Sequence, residues 1–337
     1  MRRLRVDLGL IFVVVIWGIA PILFTIALES LTALSFLFIR LISLCFISAS
    51  VLAIHSFHLK RMPHFESHDI LLLTVSGLSG FGMYQLCYMI GLSHTTPFAS
   101  ALLGTTLPIF TTLILSLTRI ERINLVQGLG IGLAFVGIAA FLYLANTYSG
   151  NTLEDIKNVL NSWDLLVGNL LILAANVLLS IYGVANKSLL KRYSPPELMC
   201  YTLLIGTLPL IPFSLPSVLS QDWGHISWQV WLIIAYAVIL ASYLTLILYN
   251  WAIGERGVFY VVPFTYLVPV ITGIVAWLVL GQELTIGQII ASGVVLSGIS
   301  LVYYGMALLQ KNSTDMTRND TVECLVSSMP NEHLLQE

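Results

Sequence analysis

One sparse pattern of residues occurs twice in this chain, and the two copies lie 161 positions apart. The first copy has Pro108, Gln127, Gly132, Gly137 and Tyr143, and the second has Pro269, Gln288, Gly293, Gly298 and Tyr304. Leucine, isoleucine and valine occupy most of the positions around them. A repeat written in apolar residues predicts one membrane module present in two copies, with any solute path at the boundary between the copies.

Composition places most of the chain in lipid. Hydrophobic residues make up 57% of the 337 residues, charged residues make up 9%, and the mean hydropathy is +0.90. Soluble domains carry about 25% charged residues, and a water-soluble fold could not bury so much apolar sequence. The sequence has no basic face that could neutralise phosphates. The expected environment is therefore the lipid bilayer, and nucleic acid is not an expected partner.

Ten apolar segments are long enough to cross a membrane, since a hydrocarbon core about 30 Å thick needs roughly 20 helical residues. They are 8–28, 33–54, 70–92, 96–118, 124–144, 165–186, 196–219, 228–252, 258–280 and 286–308. The polar linker 145–164 divides them into two five-helix repeats, 8–144 and 165–308, and the polar tail 309–337 is expected to be disordered. The predicted fold is an all-α polytopic membrane protein with ten transmembrane helices.

Lysine and arginine positions orient the predicted helices, because these residues are retained on the cytoplasmic side. With the N-terminus inside, 13 of the 15 lysines and arginines face the cytoplasm; Lys157 lies outside and Arg40 lies within the second span. Both termini are thus expected in the cytoplasm, with the linker 145–164 outside. Five spans per repeat make the second copy enter from the opposite side, so the repeats are inverted. A bacterial inner membrane is the simplest setting.

Several short patterns are similar to the EamA-like branch of the drug/metabolite transporter superfamily. They are Trp17-Gly18, Arg40-Leu41, the run 99–102 that leads to Pro108, and the series Glu121, Gln127, Gly132 and Glu283, Gln288, Gly293. The resemblance covers roughly 8–308 and implies a ten-helix, inverted-repeat exporter or exchanger of small organic molecules. The second half departs from the pattern, since Tyr182-Gly183 stands where a second Trp-Gly is expected.

Arg40 is the sharpest candidate for a binding residue. It lies about 5 Å from the midpoint of its span, taking a rise of about 1.5 Å per residue, and a charge there costs at least about 2.5–3.5 kcal/mol. A cation in that place can attract a carboxylate or another anionic group of a solute. The alternative is a structural arginine that binds backbone carbonyls or extends toward the membrane surface.

Acidic residues are missing from the middle of the predicted spans. Those near a span, such as Asp69, Glu121 and Glu283, lie at helix ends or in turns, where the helix dipole favours them. Carriers coupled to protons or sodium usually have an intramembrane carboxylate as the coupling site. The sequence therefore favours facilitated diffusion or exchange over tight ion coupling.

Polar and aromatic residues recur at helical spacing in several spans. The residues that we expect to contact a solute are Trp17, Arg40, Tyr84, Gln85, Tyr88, Asn176, Tyr243, Asn250 and Tyr266. Aromatic walls with a few amides suit an amphipathic metabolite, because they supply contact area and orienting hydrogen bonds. The alternative for each residue is contact between helices or a place in the interfacial aromatic belt.

Two proline residues at matched positions of the repeat are candidate hinges. Pro108 and Pro269 each remove a backbone hydrogen bond and bend the helix, although a static kink is the alternative. Gly128 and Gly132 have GxxxG spacing, which predicts close helix packing.

No metal or cofactor site is expected. The four cysteines, Cys45, Cys87, Cys200 and Cys324, lack the spacing of metal ligands. His64 and His68 are one helical turn apart, but zinc would need further ligands.

The function predicted from these features is secondary transport. An exporter or exchanger would move small organic metabolites, amino-acid-like or otherwise amphipathic, by alternating access between two inverted repeats. A membrane enzyme would need a catalytic set such as HExxH or paired intramembrane aspartates, and the sequence has neither. The alternative is a non-transporting membrane sensor or scaffold, and a homodimer is left open as the oligomeric state.

Overall fold

The computed structural model describes residues 2–59, 65–119, 123–147, 162–256 and 258–327. Within these ranges the secondary structure is helical, without strands. Nine of the helices described are long and apolar enough to cross a membrane, and the pair Pro195–Thr207 and Leu210–Ser220, bent by 63°, makes ten if it is counted as one broken span. The predicted all-α polytopic membrane architecture is therefore confirmed, with nine to ten spans. Glu121, His64 and most of the linker 145–164 lie outside the described residues.

We number the spans 1 to 10 in chain order. Spans 1 to 5 comprise the helices Arg2–Leu28; Ala33–Leu59; Ile70–Gly77 with Leu78–Met83 and Tyr84–Ser93; Pro97–Gly104 with Leu107–Leu117; and Leu125–Thr147. Spans 6 to 10 comprise Ser162–Leu189; Pro195–Thr207 with Leu210–Ser220; Trp228–Ala235 with Tyr236–Leu244 and Thr245–Arg256; Val258–Thr265 with Leu267–Leu280; and Ile286–Ser327. Short 3₁₀ turns, Ser67–Asp69 and Trp223–His225, precede spans 3 and 8.

The last helix extends beyond the predicted end of span 10. It continues from Ile286 to Ser327, through most of the segment for which the sequence predicted disorder. No glycine or proline interrupts residues 309–327, and each residue added to an existing helix gains a hydrogen bond without a new nucleation cost. The prediction of a disordered tail therefore does not match the structure as far as Ser327.

Spans 4 and 9 are both interrupted, at matched positions of the repeat. The first break contains Thr105 and the second contains Tyr266, 161 positions later. Pro108 and Pro269 follow these breaks, and each lacks the N–H that would bond to the carbonyl four residues earlier. The prolines therefore account for the two interruptions, and both lie where the sequence placed candidate hinges.

Spans 3 and 8 also share an irregularity. Each contains a π-helical segment, Leu78–Met83 in span 3 and Tyr236–Leu244 in span 8. The two segments end 161 positions apart, at Met83 and Leu244. The two halves of the sequence therefore carry the same kind of distortion at positions related by the 161-residue offset. Such π turns are frequent at functional sites.

The repeated glutamines cap the helices of spans 5 and 10. Gln127 Oε1 accepts a hydrogen bond from the Asn124 N–H (2.9 Å), and the Gln127 N–H donates to Asn124 Oδ1 (2.8 Å). Gln288 and Thr285 make the same reciprocal pair, at 2.9 and 3.2 Å. Asn124 with Gln127, and Thr285 with Gln288, therefore each form a capping box, which satisfies N–H groups that the first helical turn leaves free.

Close packing between spans 5 and 10 uses other glycines than expected. A Cβ added to Gly128 or Gly132 would meet nothing within 4 Å, so the prediction that these two residues pack closely is wrong. A Cβ on Gly130 would lie 2.7 Å from the carbonyl oxygen of Gly298, and one on Gly137 would lie 2.7 Å from a backbone nitrogen of span 10. GxxxG spacing marked the right helix but the wrong face, because spacing alone does not fix the rotation of the helix.

Several contacts between spans are symmetric. When each span in the following contacts is replaced by its counterpart in the other half of the sequence, the same set of contacting pairs is obtained. Spans 5 and 10, 2 and 7, and 4 and 9 each pack against their own counterpart. Span 3 packs against spans 6 and 7, and span 8 packs correspondingly against spans 1 and 2. Likewise span 6 packs on span 4, and span 1 packs on span 9. Each of these contacts therefore joins a span from the first half of the sequence to a span from the second half.

The apolar core differs between the two ends of the bundle. We call the end that holds Arg5 the N-terminal end and the other the far end. At the far end one cluster joins spans 1, 2, 3, 7 and 8, with members such as Phe36, Leu92 and Val230. A separate cluster of spans 4, 5, 6 and 10 also reaches this end, with Phe98 and Phe141 among its members. At the N-terminal end two separate clusters occur, one of spans 1, 8 and 9 around Leu10 and one of spans 3, 6 and 7 around Leu73. Span 8 therefore shares an apolar cluster with span 3 at the far end, whereas at the N-terminal end the described residues of these two spans belong to different clusters.

Candidate functional site

Arg40 lies where spans 1, 2, 3 and 8 meet. Its side chain is 8% exposed, and its Nη1 donates to Gln85 Oε1 (3.3 Å) while its Nη2 donates to Ser242 Oγ (3.0 Å). The guanidinium carbon lies 5.2 Å from the centroid of the Phe24 ring, a cation–π contact. Arg40 therefore turns into the interior of the bundle, and its position does not favour the alternative of a residue extending to the membrane surface.

The positive charge of Arg40 has no anionic partner in the part of the chain that the structure describes. The ion pairs found there involve other residues, and Arg40 Nε has no hydrogen-bond acceptor. Both of its acceptors, an amide and a hydroxyl, are neutral. A buried charge without a counter-ion is strongly unfavourable, so this arrangement calls for an anion or water to enter beside Arg40.

Two tyrosines form a wall next to the arginine. The rings of Tyr84 and Tyr88 lie 6.0 Å apart between centroids, and both lie within electrostatic reach of Arg40. The Tyr88 hydroxyl lies near the Ser100 side chain of span 4. Both tyrosines remain partly exposed although they lie amid packed helices. With Gln85, they are the predicted residues that the structure brings together around Arg40.

Trp17 joins this cluster through span 8. Its indole Nε1 donates to Thr245 Oγ1 (2.9 Å) and to the Ala241 carbonyl (3.2 Å), and its ring centroid lies 5.1 Å from that of Tyr249. Thr245 directly follows the π-helical segment that also carries Ser242. The distorted part of span 8 therefore holds both Trp17 and Arg40.

Tyr266 lies at the break in span 9 and has an unused polar group. Its hydroxyl oxygen is buried and has no hydrogen-bond partner among the described residues. Tyr266 lies within electrostatic reach of Tyr249, the residue against which Trp17 packs. Because buried hydroxyls nearly always have a partner, this group is available to a bound molecule.

Three predicted residues are placed elsewhere. Asn176 is 4% exposed and donates to the Leu103 carbonyl (2.6 Å) and to Thr106 Oγ1 (3.0 Å), so it holds the broken region of span 4. Its role is therefore a contact between helices, the alternative to the predicted contact with a solute. Asn250 is exposed and Tyr243 is partly exposed, and neither makes a hydrogen bond to another described residue.

Sequence reasoning missed several members of the cluster. Tyr249 lies 161 positions after Tyr88, so the repeat could have identified it. Ser242 has no such signal: its hydroxyl donates to the Ala237 carbonyl five residues earlier (2.7 Å), the register of a π-helix, and accepts from Arg40. A local change of helical register is not visible in hydropathy.

A second polar cluster lies at the N-terminal end, outside the interior site. Glu66, His68 and Asp69 bring possible metal ligands within 4.8 Å of one another. Arg192 already contacts two of them, with its Nη1 2.5 Å from Asp69 Oδ1 and 2.7 Å from His68 Nε2. A guanidinium in this place opposes a metal cation, so the cluster is an ion-pair network that links the start of span 3 to the end of span 6.

The fold is that of a polytopic helical membrane protein with a polar interior site. Spans 4 and 9 are interrupted at matched positions, and Arg40 is buried where spans 1, 2, 3 and 8 meet. A family model described as the EamA-like transporter family matches the chain twice, over residues 4–143 and 166–304. The chain therefore belongs to the EamA-like transporter family, and it is a membrane transporter of that family.

Curated relatives and one solved structure agree with this assignment. The uncharacterized transporter YyaM of Bacillus subtilis is 28% identical over 71% of this chain and 75% of its own length. A WAT1-related protein of Arabidopsis thaliana is 25% identical over 76% and 72%. The probable terminal-alkyne amino-acid exporter of Streptantibioticus cattleyicolor is 25% identical over 70% and 74%. A crystal structure with 17% identity superposes with a TM-score of 0.53 over 89% of this chain and 97% of that chain, which supports the fold alone.

Proposed function

We propose that this protein is a secondary carrier, an exporter or exchanger of small amphipathic organic solutes that bear a carboxylate. The observation that carries the proposal is Arg40, a buried cation that has neutral acceptors and no anion beside it. A bidentate guanidinium is well suited to a carboxylate. The name of the Streptantibioticus relative, an amino-acid exporter, supports solutes of this size and polarity.

The residues around Arg40 have separate roles in this proposal. Arg40 binds the carboxylate, and Gln85 positions the guanidinium through its amide oxygen. Tyr84, Tyr88 and Trp17 provide aromatic contact area for the apolar part of the solute. Tyr266 offers its free hydroxyl as a further donor or acceptor. Asn176, Tyr243 and Asn250 have no part in the binding step.

The packing of spans 3 and 8 at the two ends supports alternating access. The two spans share one apolar cluster at the far end and belong to different clusters at the N-terminal end. We infer that solute enters from the N-terminal end, which the lysine and arginine distribution places in the cytoplasm. The groups that move against each other, spans 1, 8 and 9 and spans 3, 6 and 7, each combine both halves of the sequence.

The sequence repeat suggests the second conformation. We propose two inverted five-helix repeats, 8–144 and 165–308, joined by the external linker 145–164 and followed by a cytoplasmic tail, 309–337. Swapping the packing of the two repeats would separate span 3 from span 8 at the far end and join these spans at the N-terminal end. The breaks before Pro108 and Pro269 are the proposed hinges, because a missing hydrogen bond lets each half-helix tilt.

The experiment that tests the proposal is solute flux into proteoliposomes. The panel contains amino acids, aliphatic and aromatic carboxylates, purines and cationic dyes, with and without a pH gradient. We expect saturable flux of a carboxylate-bearing solute in the wild type and a loss of more than about 100-fold in Arg40→Ala, since removing a partner of a buried charge costs about 3–5 kcal/mol.

Arg256→Ala is the matched control. Arg256 lies at the end of span 8, where its guanidinium stacks over Tyr260 with 4.7 Å to the ring centroid, away from the interior cluster. It should keep wild-type flux. If Arg40→Ala also keeps it, Arg40 is structural. If folded wild-type protein moves no solute of the panel, the sensor or scaffold alternative is favoured over a carrier.

A further inference from the structure

The charges buried in the bundle are few. Among the residues described, Arg40 and Asp69 are the buried charged side chains. Asp69 has a counter-ion, Arg192, at the N-terminal end. Arg40 has none, so the interior site has one uncompensated positive charge when it is empty.

The hydrogen-bonding capacity of Arg40 is only partly used. A guanidinium has five N–H groups, and the structure shows bonds to Gln85 Oε1 and Ser242 Oγ. Ser242 also donates its own proton to the Ala237 carbonyl, which leaves its oxygen as a fixed, neutral acceptor. The Nε group remains without a partner. The arginine can therefore bind an anion without losing the contacts that hold it.

The charge of the solute decides the charge of the closed site. An empty site is +1, a bound monoanion brings it to zero, a zwitterion leaves it at +1, and a dianion makes it −1. Of these, the neutral combination is the least costly to enclose in a low-dielectric interior. A solute ammonium would also find no carboxylate in this cluster, since no described ion pair or buried acid lies beside Arg40.

We infer that the transported solute is a net monoanion that serves as the counter-ion of Arg40, and that the site closes only when this anion is bound, so that transport proceeds by exchange. The inference rests on the proposed function and names its substrate class. A carrier that changes conformation with an empty site must enclose the unpaired charge of Arg40, so this step is slow. A carrier that changes conformation with a second anion bound avoids this cost. Exchange should exceed net transport by about 100-fold, from the penalty of an unpaired buried charge.

Matched solutes test the charge of the substrate. Phenylpyruvate and L-phenylalanine share a carbon skeleton and a carboxylate, but the second also has an ammonium group. The pair 4-methyl-2-oxopentanoate and L-leucine repeats the comparison without the aromatic ring. Uptake of each labelled compound is measured in proteoliposomes at neutral pH, with protein-free liposomes subtracted. We expect at least about 10-fold faster uptake of one oxo acid than of its amino acid.

Preloading tests the exchange. The faster oxo acid is measured with proteoliposomes that are empty or loaded with the same unlabelled acid, and loading should accelerate uptake by about 100-fold. Arg40→Lys keeps the charge and should keep this ratio, whereas Arg40→Gln should bring it close to 1. Arg256→Gln is the control arginine variant and should behave as the wild type.

The outcomes separate the inference from the proposed function. Equal uptake into empty and loaded vesicles, or equal rates for oxo acids and amino acids, overturns the inference while leaving a carrier in place. Absence of flux for all four compounds in folded wild-type protein contradicts the carrier and the inference together. Both readings use the wild type, so the test stands even if an Arg40 variant fails to fold.

Discussion

The contact between spans 5 and 10 gives a prediction that can be worked from distances. Gly132 and Gly137 lie on the same helix and are both positions of the repeat. A Cβ on Gly137 would lie 2.7 Å from a backbone nitrogen of span 10, whereas ordinary contacts begin at 3.4 Å. Real Cβ atoms essentially never approach closer than 3.0 Å, so Gly137→Ala must separate the two spans locally by at least 0.3 Å, and by 0.7 Å to restore an ordinary contact, the differences between 2.7 Å and the limits of 3.0 and 3.4 Å. Gly132→Ala meets nothing within 4 Å.

The two substitutions share one energy term and differ in another. Each replaces glycine by alanine within a helix, which favours folding by roughly 0.5–1 kcal/mol. Only Gly137→Ala adds the cost of overpacking, typically about 1–3 kcal/mol. The difference in unfolding free energy between the variants therefore isolates the overpacking cost. We expect Gly137→Ala to be less stable than Gly132→Ala by about 1–3 kcal/mol.

Equilibrium unfolding in mixed micelles measures this difference, with thermal aggregation in detergent as a second measurement. The second repeat provides a replicate, because a Cβ on Gly298 would lie 2.5 Å from a backbone nitrogen of span 5 and one on Gly293 would meet nothing within 4 Å. Equal stabilities for Gly132→Ala and Gly137→Ala, or the reverse order, would refute the assigned rotation of span 5.

Further predictions concern the interior site. In a background without the four native cysteines, Tyr84→Cys should react with an impermeant, negatively charged thiosulfonate in inside-out vesicles and not in right-side-out vesicles. The control variant Met89→Cys, at a residue that is 0% exposed in the far-end cluster, should react in neither. Reaction of Tyr84→Cys only in right-side-out vesicles would contradict entry from the N-terminal end. Asn176→Leu should lower the unfolding free energy by about 1–3 kcal/mol, because it removes the two hydrogen bonds that Asn176 donates to the Leu103 carbonyl and the Thr106 hydroxyl, each contributing about 0.5–1.5 kcal/mol. Asn250→Leu should change neither stability nor flux. Tyr266→Phe should change the unfolding free energy by no more than about 0.5 kcal/mol, because the Tyr266 hydroxyl has no hydrogen-bond partner among the described residues. The same variant should raise the solute concentration for half-maximal flux about 10-fold, the effect of one lost hydrogen bond. Unchanged flux kinetics would exclude contact between Tyr266 and the solute.

The spans were predictable from the sequence because a lipid environment imposes one rule. Each crossing must satisfy its backbone hydrogen bonds internally, so an apolar run of sufficient length is a helix. The observed helices begin and end close to the predicted limits, as in 70–92 against Ile70–Ser93. The end of the last helix was missed, because no lipid boundary fixes where a helix ends once it leaves the membrane.

The interior site was predictable only where residues stand out chemically. Arg40 was found because a charge within a span is rare, and Tyr84 and Gln85 because polar groups cluster there. Asn176 was predicted to face solute, and the structure shows its side chain bonded to span 4; a face drawn at helical spacing does not distinguish a cavity from a neighbouring helix. Ser242 was missed because the π-helical segment of span 8 turns it toward Arg40.

The difference between the two ends of the bundle was not predictable, and the reason is physical. The repeated features, namely the breaks before Pro108 and Pro269, the π-helical segments and the glutamine caps, are alike in both halves. Yet spans 3 and 8 share one apolar cluster at the far end and belong to different clusters at the N-terminal end. A pattern that is alike in both halves carries no information about which end packs in which way, so the sequence could not predict this difference. Under the proposed alternating access, an exchange of the two packings would open the far end while the solute stayed at Arg40.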